Sequence, residues 1–337
     1  MTDPREILGA EAAGALSEEG FPDWLDPMLA TLTDDPFSDP GWIYERKLDG
    51  VRVLAFKDGD RVRLYSRNRK DQNIRYPELV EALEGLDGSF VVDGEVVAFE
   101  GAVTSFSKLQ DRSQIQDAEE ARRSDVDVYY YLFDVMHLDG WDVTGVGLRH
   151  RKHLLRQALE YRDPIRFATH RNEDGEALLE EACRKGWEGL IAKDASSAYV
   201  HSRSRKWLKF KCVNRQELVI GGFTEPEGER IGFGALLVGY YEDGDLVYAG
   251  KVGTGYDDAM LRRLRDRMDE LERETQPFDE PGDISEKGAH WITPELVGEV
   301  GFTEWTDDGK LRHPRFLGLR EDKDPEEVVR ERPVETG

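Results

Sequence analysis

The chain has 337 residues, 39% of them hydrophobic, which leaves room for two domains on the usual prior of roughly 100–200 residues each. It carries 70 acidic against 46 basic side chains, a net charge of −24, so any nucleic-acid binding must rest on local basic patches rather than on the overall field. No apolar run approaches the roughly 20 residues of a membrane span, and the N-terminus lacks the basic-then-apolar layout of a signal peptide; a cytoplasmic location and no membrane partner are expected.

In chain order, residues 1–20 read as a weakly ordered acidic lead-in and 21–40 as Pro/Asp-rich loops anchored by Trp24, Leu25, Met28 and Leu29. Two β-like runs between Trp42 and Ser66 flank Asp58-Gly59-Asp60, a strong hairpin signal. A short helix near Tyr76–Leu86 follows, then valine-rich strand candidates at Ser89–Phe99 and Val126–Leu138. Helical spacing marks Leu148–Leu159 and Gly175–Lys185, the second stopped by Gly186, and strands at Gly189–Ala192 and Lys206–Cys212 close the first part. After a boundary near 212–216 come short strands at Glu217–Phe223, Ala235–Glu242 and Leu246–Val252. A charged helix from about Asp257 to Glu274 precedes further strands between Trp291 and His313. Short strands interrupted by one helix suit a small oligonucleotide-binding barrel, and the tail beyond 330 reads as disordered.

Basic residues gather in two clusters, Arg61, Arg63, Arg67, Arg69, Lys70 and Arg75, and Arg203, Arg205, Lys206, Lys209, Lys211 and Arg215. The first reads equally well as a solvated face. Cys183 and Cys212 have no Cys or His at metal-ligand spacing and read as small buried hydrophobes, not as a disulfide or a zinc site.

The chemistry begins at Lys47-Leu48-Asp49-Gly50, with Arg52 two residues on. A lysine attacks phosphorus only when neutral, which calls for desolvation or neighbouring cations, and a glycine permits backbone close to a phosphate. Alone, the string reads as a surface hairpin. Further strings follow in order, however: Ser66-Arg67, Asp93-Gly94-Glu95, Phe133-Asp134, Glu188-Gly189-Leu190-Ile191-Ala192-Lys193 and Trp207-Leu208-Lys209-Phe210-Lys211. Charged residues recurring inside apolar strands are costly unless they meet partners or ligands. Alternation also puts Lys209 and Lys211 on one strand face, where two ammonium groups can grip one phosphate.

This ordered series resembles that of the covalent nucleotidyltransferases, the superfamily of ATP-dependent DNA ligases, RNA ligases and messenger-RNA capping enzymes. It extends from about Leu25 to Arg330 and looks most like the ligase domain of bacterial DNA ligase D, notably in Gln216–Phe223, Gly232–Gly239, Tyr248–Gly255 and the run from His313 to Lys323. The resemblance implies an α+β fold, with an ATP-grasp-like nucleotidyltransferase domain of antiparallel sheets and helices over 21–213 and an OB-fold barrel over 214–330. It implies ATP as cofactor and a DNA ligase that seals 5′-phosphate/3′-hydroxyl breaks through lysyl-AMP and DNA-adenylate. An RNA ligase or a GTP-using capping-type enzyme is the alternative.

By the same resemblance Lys47 is the nucleophile. Arg52 and Arg67 contact sugar and phosphate, Phe133 stacks on adenine, and Glu188, with Glu95 also on the ribose, holds Mg²⁺ or Mn²⁺. Lys209 and Lys211 hold the α-phosphate. Glu45, Lys193, Arg203 and Trp207 are supporting nucleotide-site positions, and Arg320, Asp322 and Lys323 orient the departing pyrophosphate. Implied partners are nicked or broken double-stranded DNA, the end-binding protein Ku, and separate polymerase and nuclease modules. A monomeric, nucleoid-associated protein is expected.

Overall fold

Apart from residues 114, 116, 227, 229, 281–283 and 285, residues 3–334 are described by a computed structural model, and the chain divides into two compact units, residues 1–212 with 332–337 and residues 213–331.

Strand periodicity organises the first unit. Its larger sheet runs in the order Ser17–Glu18, Trp141–Asp142, Tyr129–Leu138, Phe90–Val97, Val51–Asp58, Arg61–Ser66, with antiparallel neighbours throughout and Ile165–Phe167 added parallel to Tyr129–Leu138. Along Val51–Asp58 the odd positions Val51, Val53 and Ala55 pack with Leu79 and Leu83 of the helix Pro77–Glu84 and with Leu154 and Leu155 of the helix Leu148–Ala158. The even positions Leu54 and Phe56 pack the other way, against Met28, Tyr199 and Trp207. Side chains two apart share a sheet face, so this alternation separates an outer helical layer from an inner face.

The second sheet runs His170–Asn172, Trp42–Lys47, Gly189–Asp194, Arg203–Lys211, Leu29–Leu32, with only the last pair parallel. Tyr44, Leu190, Ala192, Leu208 and Phe210 form its outer face under Leu178 and Ala182 of the helix Gly175–Arg184. The hairpin expected at Asp58-Gly59-Asp60 forms between Val51–Asp58 and Arg61–Ser66, while the run that precedes its turn breaks at Leu48-Asp49-Gly50 into two strands. Trp42–Lys47 belongs to one sheet, while Val51–Asp58 pairs with Arg61–Ser66 in the other.

Three expectations are corrected. From Asp3 on the lead-in is ordered: Asp3 caps the helix Pro4–Leu8 through the Arg5 N–H at 2.9 Å, Ser17–Glu18 pairs with Trp141–Asp142, and Ile7, Leu8 and Leu16 pack against the core. In the tail, the Val334 N–H donates to the Leu32 carbonyl at 2.9 Å and its carbonyl accepts from Thr33 Oγ1 at 2.7 Å; residues 335–337 lie outside the described residues. Cys183 and Cys212 form a disulfide with Cα atoms 5.1 Å apart, and neither is buried. Their 29-residue separation hid the pairing, because α-helix and strand meet there only through the fold.

In the second unit the strands run Asp245–Val252, Leu236–Glu242, Asn214–Thr224, Ala289–Phe302, with Glu272–Arg273 and Arg315–Leu319 both pairing to Ala289–Phe302. The sheet curls around its own core of Leu218, Ile220, Leu237, Val300 and Phe316, and the helix Asp258–Asp269, capped by Asp257, seals it with Leu261, Leu264 and Met268. This is the oligonucleotide-binding architecture that the strand spacing implied.

Candidate active site

Register builds the site. Across three strands of the second sheet, Lys47 lies opposite Gly189 and Gly189 opposite Lys211; Glu45, Ile191 and Lys209 form the next row, and Ile43, Lys193 and Trp207 the third. Residues directly opposite one another share a face, so Glu45, Lys47, Lys193, Trp207, Lys209 and Lys211 all rise from the inner face. With strands about 4.8 Å apart, the Lys47 and Lys211 backbones are roughly 10 Å from each other, within the joint reach of two lysine side chains.

Glu188 precedes the first row, and Gly189 lets it take part. Gly189 has φ +153°, and a Cβ there would stand 1.8 Å from the Phe210 carbonyl oxygen, so only glycine fits. The chain turns at this point, and Glu188 Oε1 lies 2.5 Å from Lys47 Nζ. Gly50 has a different purpose from the one expected. A Cβ there would lie 2.1 Å from the Val96 carbonyl oxygen, so the residue is small because the other sheet's backbone approaches, not to admit a phosphate.

From the larger sheet, Arg52 and Glu95 are directly paired across Val51–Asp58 and Phe90–Val97. Together the sheets enclose a cleft of about 170 Å³ lined by Glu45, Lys47, Arg52, Glu95, Phe133, Lys193 and Trp207, with Arg46 and several apolar residues completing its wall. Seven of the expected site residues therefore share one cavity. Glu188 joins through its contact with Lys47, and Lys209 and Lys211 through the strand register. Arg67 sits in the turn after Arg61–Ser66 and is not among the lining residues; Arg203 is exposed and donates to the Ala30 carbonyl at 2.6 Å.

The electrostatics correct one expectation. Burial favours a neutral Lys47, but Glu188, Glu95 and Asp49 outweigh it and hold the ammonium well above its ordinary range. Arg52 is likewise held charged: burial opposes it, and Asp93 overcomes the penalty through bonds of 2.9 and 2.5 Å to Nε and NH2. Tyr199 Oη donates to the same Asp93 at 2.7 Å. Arg52 and Lys193 flank the Phe133 and Trp207 rings, the Lys193 ammonium 4.3 and 4.0 Å from their centroids.

Arg320, Asp322 and Lys323 belong to the second unit. Arg320 makes two 2.9 Å bonds to the Asp322 carboxylate and a 3.0 Å bond to Glu299, while Lys323 lies 3.1 Å from Glu217. Burial alone would discharge the pair, but their mutual attraction keeps Arg320 above and Asp322 below the ordinary ranges.

The sequence reading missed several partners. Arg151, wholly buried, clamps Asp134 with bonds of 2.8 and 2.9 Å, and Lys152, 2% exposed, bonds Glu45. Both lie on an amphipathic helix, where charge reads as solvent-facing. The available signal was on the other side: Glu45 and Asp134 sit inside apolar strands, and a buried carboxylate requires a cation. Tyr199 and Glu299 lay in no recognised string.

Two packed sheets around a lysine-bearing cleft, followed by an oligonucleotide-binding barrel, form the architecture of the covalent nucleotidyltransferases. Residues 27–211 match the family described as ATP dependent DNA ligase domain, and residues 229–323 that described as ATP dependent DNA ligase C terminal region. The multifunctional non-homologous end joining protein LigD of Pseudomonas aeruginosa is 40% identical over 321 residues, 93% of this chain and 37% of that protein. LigD of Mycobacterium tuberculosis strain H37Rv, described as a multifunctional non-homologous end joining DNA repair protein, is 38% identical over 315 residues, 92% of this chain and 40% of that one. A solved structure of mycobacterial DNA ligase D complexed with ATP and MES matches with a TM-score of 0.61 at 35% identity, covering 91% of this chain and 98% of that chain. The chain belongs to the ATP-dependent DNA ligase family. It spans about two fifths of the length of those two curated relatives.

Proposed function

We propose that this protein seals 5′-phosphate/3′-hydroxyl breaks in double-stranded DNA, using ATP and a covalent lysyl-AMP on Lys47, in the service of end joining. The observation that carries the reading is the Lys47 amine at the wall of a cleft lined by cations and aromatic rings, 2.5 Å from Glu188 and on the same sheet face as Lys209 and Lys211.

The cleft fits an adenine nucleotide. Phe133 offers a ring face for the base, Glu45 an acceptor for its amine, and the buried Trp207 Nε1 has no acceptor among the described residues and is left as a donor. Arg52, Lys209 and Lys211 are the cations for the phosphates, with Arg67 as a further sugar and phosphate contact and Arg203 in support. Phosphoryl transfer is catalysed mainly by positioning and charge neutralisation, which these side chains supply. Lys47 becomes nucleophilic when it sheds its proton, and Glu188 is the first group holding that proton in place. Any cation that engages the Glu188 carboxylate weakens this hold.

Glu188 and Glu95 fit a magnesium or manganese ion. Among the described residues no three His, Cys, Asp or Glu side chains gather to make a complete cage, and magnesium commonly binds one or two carboxylates with substrate phosphates completing the shell. When bound, such an ion neutralises developing phosphate charge. Arg320 and Lys323 are the residues for the departing pyrophosphate, with Asp322 orienting Arg320. The names of the relatives, which are non-homologous end joining proteins, support an end-joining role; Ku and separate polymerase and nuclease activities are the partners that the resemblance to ligase D implies.

The test is sealing of a labelled nick with ATP and magnesium. Ligated product is expected. Formation of a protein-AMP adduct without sealing of DNA would overturn the substrate and redirect the reading to an RNA end or a capping reaction.

A further inference from the structure

Glu45 occupies an unusual position for a carboxylate. It is 4% exposed, lies in mid-strand, and each of its oxygens is held by a lysine from a different element. Lys152, on the helix Leu148–Ala158, bonds Oε1 and also donates to the Ala168 carbonyl at 2.9 Å. Lys193, on the strand Gly189–Asp194, lies 2.7 Å from Oε2. Glu45 and Lys193 line the cleft; Lys152 stands behind them.

The chemistry of this clamp bears on the base. An ionised carboxylate only accepts hydrogen bonds, whereas a protonated one also donates. Adenine presents an amine where guanine presents O6, so an acceptor held in the plane of the base welcomes the first and repels the second. Burial pushes Glu45 toward the protonated, permissive form, and the two ammonium groups, Lys152 first, outweigh it and hold the carboxyl below its usual range. Lys193 alone would leave Oε1 without its anchor.

We propose that Lys152 is a positioning residue for nucleotide selection: by fixing Oε1 of Glu45 from behind the cleft, it keeps this carboxylate an obligate acceptor and so favours ATP over GTP. The inference rests on the cleft being the ATP site, and it assigns the preference to a helix outside every recognised string.

The test compares wild type with Lys152→Met, Lys152→Gln and Glu45→Gln. Lysyl-nucleotide formation is followed with ATP and with GTP, and ATP and GTP binding is measured by calorimetry in a Lys47→Ala background. Lys152→Met should raise KM for ATP about 10-fold or more, with kcat within about 3-fold, and lower the ATP-to-GTP binding ratio by about 10-fold or more. Glu45→Gln should do the same, and combining the two should add little, as expected for residues acting as a unit. Lys152→Gln, which removes the charge but leaves a hydrogen-bond donor in the buried site, carries the same prediction should the methionine variant not fold. An unchanged ATP-to-GTP ratio in a folded Lys152 variant, or a loss confined to kcat, would overturn the proposal. Failure of the wild type to form lysyl-AMP would instead overturn the reading of the cleft.

Discussion

The two units bury their charges in opposite ways. Around the cleft, Lys47, Arg52 and Lys193 pair with Glu188, Asp93 and Glu45 while also bordering an open cavity, so each pair keeps a side on which a ligand can compete. In the second unit, Arg320 is shared by Asp322 and Glu299, and Lys323 lies against Glu217, so each of these cations already holds a carboxylate of its own unit. Desolvating ions is expensive, and a mutually paired group offsets that cost only while it stays paired. Under the proposed function, the first arrangement takes a nucleotide as it stands, and the second exchanges a carboxylate for a phosphate before it acts on one. The proposal therefore gives the cleft a part in every step and the cluster a part in one.

The largest expected effect tests the cleft. Lys47→Ala should abolish the protein-AMP adduct and lower nick sealing by at least about 10⁴-fold, as loss of a nucleophile generally does. Labelling of that variant by radioactive ATP would break the comparison at its root. Next, Arg320→Ala should slow adenylation by roughly 10³-fold, the scale of a lost arginine at a phosphoryl group. Sealing of a nick already carrying AMP should fall by less than about 10-fold. Equal losses in both steps would remove the step-specific role of the cluster. Glu188→Gln should cost about 10²–10³ in adenylation, the range for removing one preorganised charge contact. Unchanged adenylation would reduce Glu188 to a counter-ion for Lys47.

How far the sequence disclosed this difference depends on the range of the signal. The KxDG string, the Glu188 string and the two lysines of Trp207–Lys211 are local patterns on strands, and strand alternation carries them to one face without further information. Pairings made by the fold left no such pattern. Lys152 and Arg151 were hidden on a helix that reads as amphipathic, and Glu217 and Glu299 were ordinary charges until the pairing of Asn214–Thr224 with Ala289–Phe302 set them directly opposite each other. The disulfide was lost for the same reason. Gly50 failed differently: the residue was legible, but its neighbour, the Val96 carbonyl, was not.

That disulfide supplies a smaller effect confined to one unit. It ties the end of the helix Gly175–Arg184 to the residue after Lys211, and the Cys212 N–H donates to the Glu188 carbonyl at 2.9 Å. Cross-linking across a loop of this size is worth about 2–4 kcal/mol against unfolding. Cys183→Ser should destabilise the first unit by that amount in denaturant titrations and leave hydrogen exchange in the second unit unchanged. Equal stability under oxidising and reducing conditions would remove the contribution.

The smallest effect separates the units by sign. Burial, with Lys152 and then Arg149 and Lys193 against Glu45, lowers His170 to about 4 from its ordinary 6.5. Its unfolded form therefore binds the extra proton between these values, and the stability it contributes is present above about 6.5 and lost as pH falls toward 4. His290 is opposite. Hydrogen bonds to Glu272 and Glu225, at 3.1 and 2.6 Å, raise its pKa against the cost of burial, with Phe223 stacked on its ring. Its contribution is complete below the unfolded value and disappears as pH rises through the folded one. Hydrogen exchange measured unit by unit should therefore show His170→Gln flattening the acid loss of the first unit, and His290→Gln removing a gain on acidification from the second. The titrating carboxylates common to wild type and variant cancel in each difference, so two differences of the same sign would mean that the environments of these histidines do not set the response.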